Sequence, residues 1–186
     1  MRKILFAAII GLVPLAAFAE VQFGPTVMLN FPMTTGDFLD GYDAANLGIE
    51  DFTFGADVRL NLDPFQLSAY ALYTPGFTYI SGPESFQAPG WINLYPDVGL
   101  SLKFLFLRAS VGVGPSFGFA VGGDTRYQEI VNDTVNYGFN TKAMVDIYLG
   151  SIALSAIYLA DFDLSDPAGA FTNIDGYFGL SLLFNF

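Results

Sequence analysis

Apolar and polar positions alternate along most of the chain with the period of two that is typical of β-strands. The last segment, residues 176–186, shows the pattern clearly, because Phe or Leu occupies every second position from Phe178 to Phe186. On the opposite register, Leu183 is the one apolar residue that departs from the alternation. The same test predicts eight strands, at residues 21–31, 52–62, 65–73, 92–104, 107–119, 135–149, 152–162 and 176–186. In all of them the apolar register carries no charge.

The connections between these strands alternate in length. Two-residue turns are predicted at Asp63-Pro64, Leu105-Phe106 and Gly150-Ser151, whereas long connections are predicted at residues 32–50, 74–90, 120–133 and 161–173. Centring a hairpin on each short turn places apolar positions opposite apolar positions. The predicted pairs are Leu62 with Phe65, Phe104 with Leu107 and Leu149 with Ile152. Three independent turns therefore indicate one consistent antiparallel, all-β arrangement.

The N-terminal end has the layout of a cleavable signal peptide, predicted at residues 1–19. Arg2 and Lys3 precede an apolar run at residues 4–15, and Ala17 and Ala19 frame a cleavage site before Glu20. A membrane anchor is the alternative, but the run is shorter than the roughly 20 residues of a spanning helix. The remaining residues, 20–186, are predicted to form one exported domain.

The composition of this domain favours a membrane protein built from strands. The chain is 53% hydrophobic, yet after residue 19 no apolar run is long enough for a transmembrane helix. Membrane-spanning strands must close into a barrel, since an open edge leaves backbone groups unsatisfied in lipid. A secreted lipocalin-like barrel is the competing fold, but its polar register faces water, and here that register holds mostly Gly, Ser, Thr and Asn. The sequence therefore predicts an eight-stranded antiparallel transmembrane β-barrel with short periplasmic turns and long extracellular loops.

Charge and missing residue types exclude several kinds of function. Beyond residue 19 the chain has five Lys and Arg against eighteen Asp and Glu, a formal charge of −13, so nucleic acid is not an expected partner. The chain has no Cys and no His, which excludes disulfides, thiolate metal sites and imidazole catalysis. We therefore expect no enzymatic activity, no cofactor and no metal centre. Loose binding of divalent cations by the acidic loops stays open.

The chain resembles bacterial outer-membrane β-barrels in its signal peptide, its terminal aromatic strand and its rhythm of strands and loops. Over residues 20–186 it is similar to the small barrels of the OmpA, OmpX and OmpW kind. The resemblance implies a place in the bacterial outer membrane, contact with its lipid and a monomeric barrel. It also implies that the assembly machinery of that membrane reads the C-terminal strand, which ends at Phe186.

Seven charged residues fall on the inward, polar register and form the first candidate site. Burial in a narrow lumen is costly unless charges pair, so we expect a network with nearby Tyr70, Tyr95 and Ser155. Lys103 and Arg108 are predicted directly opposite each other and need an acid or water between them. The network forms either a structural plug or a gated ion path, and the narrow interior of an eight-stranded barrel favours the plug. The seven residues are Asp57, Arg59, Asp97, Lys103, Arg108, Lys142 and Asp146.

Strand prolines and apolar loop residues form the second candidate site. Pro96 and Pro115 are predicted opposite each other, and neither has the N–H that a β-ladder needs. Two alternatives follow. In the first, the two prolines face each other at a non-hydrogen-bonded pair, and each disturbs only the pairing of its strand with the neighbour on the other side. In the second, they weaken the wall between their own two strands, which then serves as a lateral opening. Four apolar residues are predicted to form a mouth for a small hydrophobic ligand: Phe38, Tyr42, Phe77 and Tyr79.

Two functions are compatible with these features, and a fold alone does not decide between them. OmpW-like barrels are thought to pass small hydrophobic molecules from an outer pocket sideways into the membrane, and the resemblance implies such a passage here. The alternative is a surface adhesin, a receptor or a structural anchor with a plugged barrel. An enzyme is a distant third hypothesis.

Overall fold

The structure is a computed structural model that describes residues 19–34, 48–81, 84–123, 135–164 and 173–186. The predicted signal peptide, except Ala19, and the predicted mouth residues Phe38 and Tyr42 lie outside these ranges. The described residues form ten strands: β1 Glu20–Thr34, β2 Phe52–Leu62, β3 Phe65–Thr74, β4 Thr78–Ser81, β5 Glu84–Gln87, β6 Gly90–Phe104, β7 Leu107–Val121, β8 Val135–Leu149, β9 Ile152–Asp163 and β10 Asn173–Asn185. A short 3-10 helix, Ile49–Asp51, precedes β2. No helix within these ranges is long and apolar enough to cross a membrane.

Eight of the strands close into an antiparallel barrel in the order β1-β10-β9-β8-β7-β6-β3-β2. The predicted all-β, eight-stranded antiparallel fold is therefore confirmed. The registers that the short turns predict are also present: Leu62 with Phe65, Phe104 with Leu107 and Leu149 with Ile152. We call the end with these short turns the inner mouth and the opposite end the outer mouth.

All four predicted long connections contain more strand than the sequence indicated, and two of them simply begin later because β1 continues to Thr34 and β7 to Val121. The connection at residues 74–90 holds a separate two-stranded sheet, in which β4 pairs with β5. Thr78, Tyr79 and Ile80 are β-branched or aromatic residues with high strand propensity, but four-residue strands are too short for alternation to reveal them. The connection predicted at residues 161–173 begins later, because β9 continues to Asp163.

Side-chain exposure alternates along the barrel strands and gives the wall two different faces. In β3, Phe65 and Leu67 are exposed on the outside, whereas Gln66 and Ser68 are buried on the inside. The same pattern runs along β7, where the outward Val111 is exposed. The outer face is thus apolar and the inner face polar, as the alternation predicted and opposite to a soluble barrel.

Two inward glycines let neighbouring strands approach each other closely. A Cβ atom added to Gly55 would collide with the carbonyl oxygen of Ala71, and one added to Gly114 would collide with that of Pro96. Because glycine has no Cβ, the wall can bend tightly at these two points. Tight bending keeps the lumen narrow, so side chains from opposite walls come within contact distance.

Candidate functional site in the barrel lumen

Six of the seven predicted lumen charges are buried inside the barrel. They lie on β2, β6, β7 and β8, on the register that alternation turns inward. These six are Asp57, Arg59, Asp97, Arg108, Lys142 and Asp146. Lys103 differs, because its side chain lies at the inner mouth and is 37% exposed. The lumen therefore holds a buried central network and a separate cluster at the inner mouth.

Arg59 occupies the middle of the central network. Its Nη2 lies 2.5 Å from Oδ2 of Asp57, and its Nη1 lies 2.8 Å from Oδ1 of Asp146. Nη2 also donates hydrogen bonds to Ser155 Oγ at 2.9 Å and to Tyr70 Oη at 3.2 Å. Asp146 is on β8, which stands opposite β2 in the ring of strands. One guanidinium thus joins opposite walls through charge-assisted hydrogen bonds.

Lys142 and Asp97 form the second ion pair of the centre, with Nζ 2.7 Å from Oδ2. Lys142 also donates a hydrogen bond to Ser68 Oγ. Ser181 donates from its Oγ to Asp57 Oδ2 at 2.9 Å, which gives that carboxylate a partner besides the arginine. Both bases and all three acids at this level are therefore paired, and this lowers the cost of burying them.

An apolar cluster fills the lumen among and around these ion pairs. Its members, each at most 6% exposed, are Met28, Tyr70, Leu72, Tyr95, Met144, Ile157, Leu159 and Tyr177. Tyr70 Oη approaches Met144 Sδ at 2.8 Å, so the polar and apolar parts of the filling contact each other. The described part of the lumen centre is consequently filled with side chains, as expected for the interior of a barrel of eight strands.

Glu20 joins two bases at the inner mouth. Lys103 and Arg108 pair directly across β6 and β7, as predicted. The Oε2 atom of Glu20 lies 3.1 Å from Lys103 Nζ and 3.0 Å from Arg108 Nη2. Asp63 supplies a second acid, with its Oδ1 2.9 Å from Arg108 Nη1. The acid that must separate the two like charges is thus Glu20.

A polar cavity of about 210 Å³ opens at the outer mouth, and we call it the outer cup. Three carboxylates and three aromatic rings line it, together with smaller polar side chains: Asp161, Asp163, Asp175, Trp91, Tyr137 and Tyr177. Tyr95 donates a hydrogen bond to Asp161 Oδ2 at 3.1 Å, and its ring centroid lies 6.4 Å from that of Tyr177. These two tyrosines separate the cup from the ion pairs below it.

Pro96 and Pro115 interrupt the seam, or strand pairing, that joins β6 to β7. The ladder pairs stop beyond Leu94 and resume with Val98 opposite Val113, in an unchanged register. The seams on the far sides, β3–β6 and β7–β8, continue through both prolines. The first alternative, in which only the far seams suffer, is therefore wrong, because the missing N–H groups face the shared seam. The close approach of Gly114 to Pro96 keeps the two strands in contact.

Of the four predicted mouth residues, Phe77 and Tyr79 fall within the described ranges. Phe77 precedes β4, is 48% exposed, and accepts a hydrogen bond on its carbonyl oxygen from the Ala88 N–H at 2.8 Å. Tyr79 belongs to β4. Phe77 does not line the outer cup. Of the predicted mouth residues, the one whose side chain is described is therefore not part of this cavity.

Five acids at the two mouths were not predicted as lumen residues: Glu20, Asp63, Asp161, Asp163 and Asp175. Four of these acids lie just outside the predicted strands, and Asp161, although inside the strand predicted at residues 152–162, also falls in the long connection predicted at residues 161–173. The polar register continues further, since Glu20 is two residues from Gln22, Asp161 is six residues from Ser155 and Asp175 is two residues from Tyr177. Extending the inward register to the strand ends would have placed these three acids in the lumen.

The two levels of the lumen suit different chemistry. The centre pairs its charges internally, with two bases against three acids, whereas the acidic outer cup favours cations and disfavours anions and apolar molecules. In the part of the chain that the structure describes, no three His, Cys, Asp or Glu residues are arranged to hold a metal ion. No protein-family model matches this chain, and no curated protein matches it significantly.

Proposed function

We propose that the protein is a monomeric, non-enzymatic β-barrel of the bacterial outer membrane, plugged in its lumen, that acts as a surface receptor, adhesin or structural anchor. The observation that carries this proposal is the fully buried Arg59, which pairs with Asp57 on its own strand and with Asp146 on the opposite wall. Together with the apolar cluster it fills the described lumen centre. A barrel filled in this way serves to hold its outer loops and cup at the surface rather than to conduct.

The polarity of the wall supports insertion in a membrane. Large apolar side chains are exposed around the barrel, among them Val58, Leu100, Val111 and Leu180. Such an apolar band is unfavourable in water and favourable in lipid. At the inner mouth, Phe23 stacks on the terminal Phe186 with ring centroids 5.4 Å apart. The resemblance to outer-membrane barrels makes this terminal strand the segment that the assembly machinery would bind.

Membrane insertion is tested by charge at two depths of the wall. Val111→Arg, on the outer face, should cost about 2 to 4 kcal/mol of stability in lipid vesicles, whereas Val135→Arg near the outer end of β8 should cost about 0 to 1 kcal/mol. Val111→Leu is the matched control for a change of shape without charge. Equal stabilities of the two arginine variants in lipid would contradict a bilayer around this face.

The plug is tested by conductance in planar bilayers. The unmutated protein should carry no steady ion current, whereas Arg59→Ala combined with Tyr70→Ala should carry one, because two side chains that fill the lumen are then missing. Asp161→Asn in the outer cup is the control and should stay closed. Large steady currents from the unmutated protein would contradict the plug and favour a pore.

A second candidate function is the passage of small hydrophobic molecules with a lateral exit. The interruption at Pro96 and Pro115 favours it, because a seam without ladder hydrogen bonds is easier to separate. It ranks second for two reasons: the acidic cup is a poor site for an apolar solute, and Gly114 keeps the strands in contact at this point.

Uptake into liposomes distinguishes the two functions. Under lateral passage, the unmutated protein should speed the uptake of a hydrophobic fluorescent solute, and Pro96→Ala with Pro115→Ala should slow it by restoring donors to the ladder. Pro75→Ala, which lies beyond the end of β3 and outside the barrel seams, serves as the control for proline replacement alone. Identical uptake with the unmutated protein, the double variant and empty liposomes would leave the plugged barrel as the better account.

A further inference from the structure

The barrel has a second interrupted seam, and it lies opposite the first. Between β1 and β10 the ladder pairs stop at Phe23 with Phe184 and resume at Thr26 with Ser181. Pro25, which has no N–H to donate, lies in this interruption. The first interruption, between β6 and β7, is separated from the second by four strands in each direction around the barrel.

The two interruptions divide the wall into two halves of four strands each. The first half consists of β1, β2, β3 and β6, and the second of β7, β8, β9 and β10. Within both halves the ladder pairs run without a break across all six described seams. Backbone hydrogen bonding is thus continuous inside each half and interrupted only where the halves meet.

Most ion pairs of the described lumen cross from one half to the other, whereas Arg59–Asp57 and Lys103–Glu20 stay within the first half. Arg59 of the first half contacts Asp146 of the second, and Lys142 of the second half contacts Asp97 of the first. At the inner mouth the same holds for Arg108, whose acids Glu20 and Asp63 both belong to the first half. These side chains therefore connect, across the lumen, two halves whose backbone ladders are interrupted in the wall.

The wall at the second interruption also carries a recess that reaches this network. The recess, about 430 Å³ in volume, opens on the apolar outer face and is lined by Pro25, Leu182 and Ser181 among others. Ser181 bonds to Asp57, the partner of Arg59. The recess thus lies beside the interruption and one hydrogen bond from the central ion pairs.

We propose that the lumen ion pairs are a latch between two half-barrels, and that both interrupted seams loosen together when the latch is released. A stretch of wall without ladder hydrogen bonds has low local stability, so the contacts across the lumen determine how often it opens. The latch is a property of the wall and does not depend on whether any solute passes through it.

Amide hydrogen exchange of the protein in lipid bilayers tests the latch. The test variant is Lys142→Met with Asp97→Leu, which removes one contact between the halves without leaving an unpaired charge. It should speed exchange by about tenfold or more at both interrupted seams, at amides such as Val98, Val113 and Leu182, and leave the β2–β3 and β8–β9 seams as they are. The matched control is Asn61→Leu, which removes hydrogen bonds to Gln22 and Gln66 inside the first half. This control should not change exchange at either interrupted seam.

Two outcomes would overturn the latch. One is exchange that rises equally at all eight seams in the test variant, since that indicates uniform loss of stability. The other is unchanged exchange at the interrupted seams. A disulfide lock provides a second test that does not depend on the variant's stability, because the chain has no cysteine of its own. Val98→Cys with Val113→Cys should slow exchange at the opposite β1–β10 seam as well, and an effect confined to the locked seam would refute joint loosening.

Discussion

The centre of the lumen and the outer cup each contain three aspartates, but the two regions treat them differently. In the centre, Asp57, Asp97 and Asp146 are buried, and each forms an ion pair with Arg59 or Lys142. In the cup, the carboxylates of Asp161, Asp163 and Asp175 surround a cavity that opens outward. A carboxylate without solvent needs a base to stay charged, whereas one that solvent reaches does not.

This difference assigns separate tasks to the two regions. Charges that satisfy one another fix the distance between opposite walls, so the centre is a structural element. Carboxylates around an open cavity create a negative electrostatic potential that acts on a ligand in the cavity. The cup is therefore the more suitable place for ligand recognition. Three substitutions test this division, and we order them from the largest expected effect to the smallest.

Arg59→Met should have the largest effect. It leaves both Asp57 and Asp146 buried without their shared base, and we expect a loss of about 4 to 5 kcal/mol, the upper part of the range for broken buried ion pairs. Unfolding by urea in lipid vesicles measures it. A loss below about 1 kcal/mol, the value of an exposed pair, would mean that the centre is as solvated as the cup.

Lys142→Met should cost about 3 kcal/mol, because it leaves Asp97 buried without its base. Adding Asp97→Leu should recover most of this loss, since no uncompensated charge then remains. The double-mutant cycle from the same unfolding assay gives the coupling between the two residues. If the double variant were no more stable than Lys142→Met alone, packing rather than charge would hold this level of the lumen.

Asp161→Asn should have the smallest effect, about 1 kcal/mol or less, because the hydrogen bond that Asp161 accepts from the buried Tyr95 can be kept. The amide oxygen of asparagine can still accept the hydrogen bond from Tyr95. Removing one of three neighbouring negative charges should even stabilise the protein slightly at low salt, and added salt should abolish that gain. A loss comparable to that of Arg59→Met would show that the cup is part of the plug.

The fold could be predicted from the sequence because its signal is repeated in every strand. Alternation fixes which side chains face outward, and the three two-residue turns fix the register of their hairpins. The same rule correctly placed Asp57, Arg59 and Asp146 on the inner face. Once a register is known, the neighbours across a seam follow from counting, which is how Lys103 was matched with Arg108.

The partners across the lumen could not be predicted in this way. Arg59 reaches Asp146 because β2 and β8 stand opposite each other, and this follows from how the whole barrel closes, which no pair of neighbouring strands determines. The role of Glu20 at the inner mouth could not be predicted for another reason, because this residue precedes the first apolar position of β1. The β4–β5 sheet was missed because four residues show too little alternation to be recognised.

The pairing of β1 with β10 has a consequence for how the molecule folds. Gln22 pairs with Asn185, so this seam joins segments from nearly opposite ends of the chain, whereas every other seam joins strands that are consecutive along the barrel sequence. Contacts between distant segments carry the largest loop-closure entropy and form slowly. Closure should therefore be a late step, and until it occurs the edges of β1 and β10 are unpaired. During that interval the chain is open to pairing with other chains through these two edges.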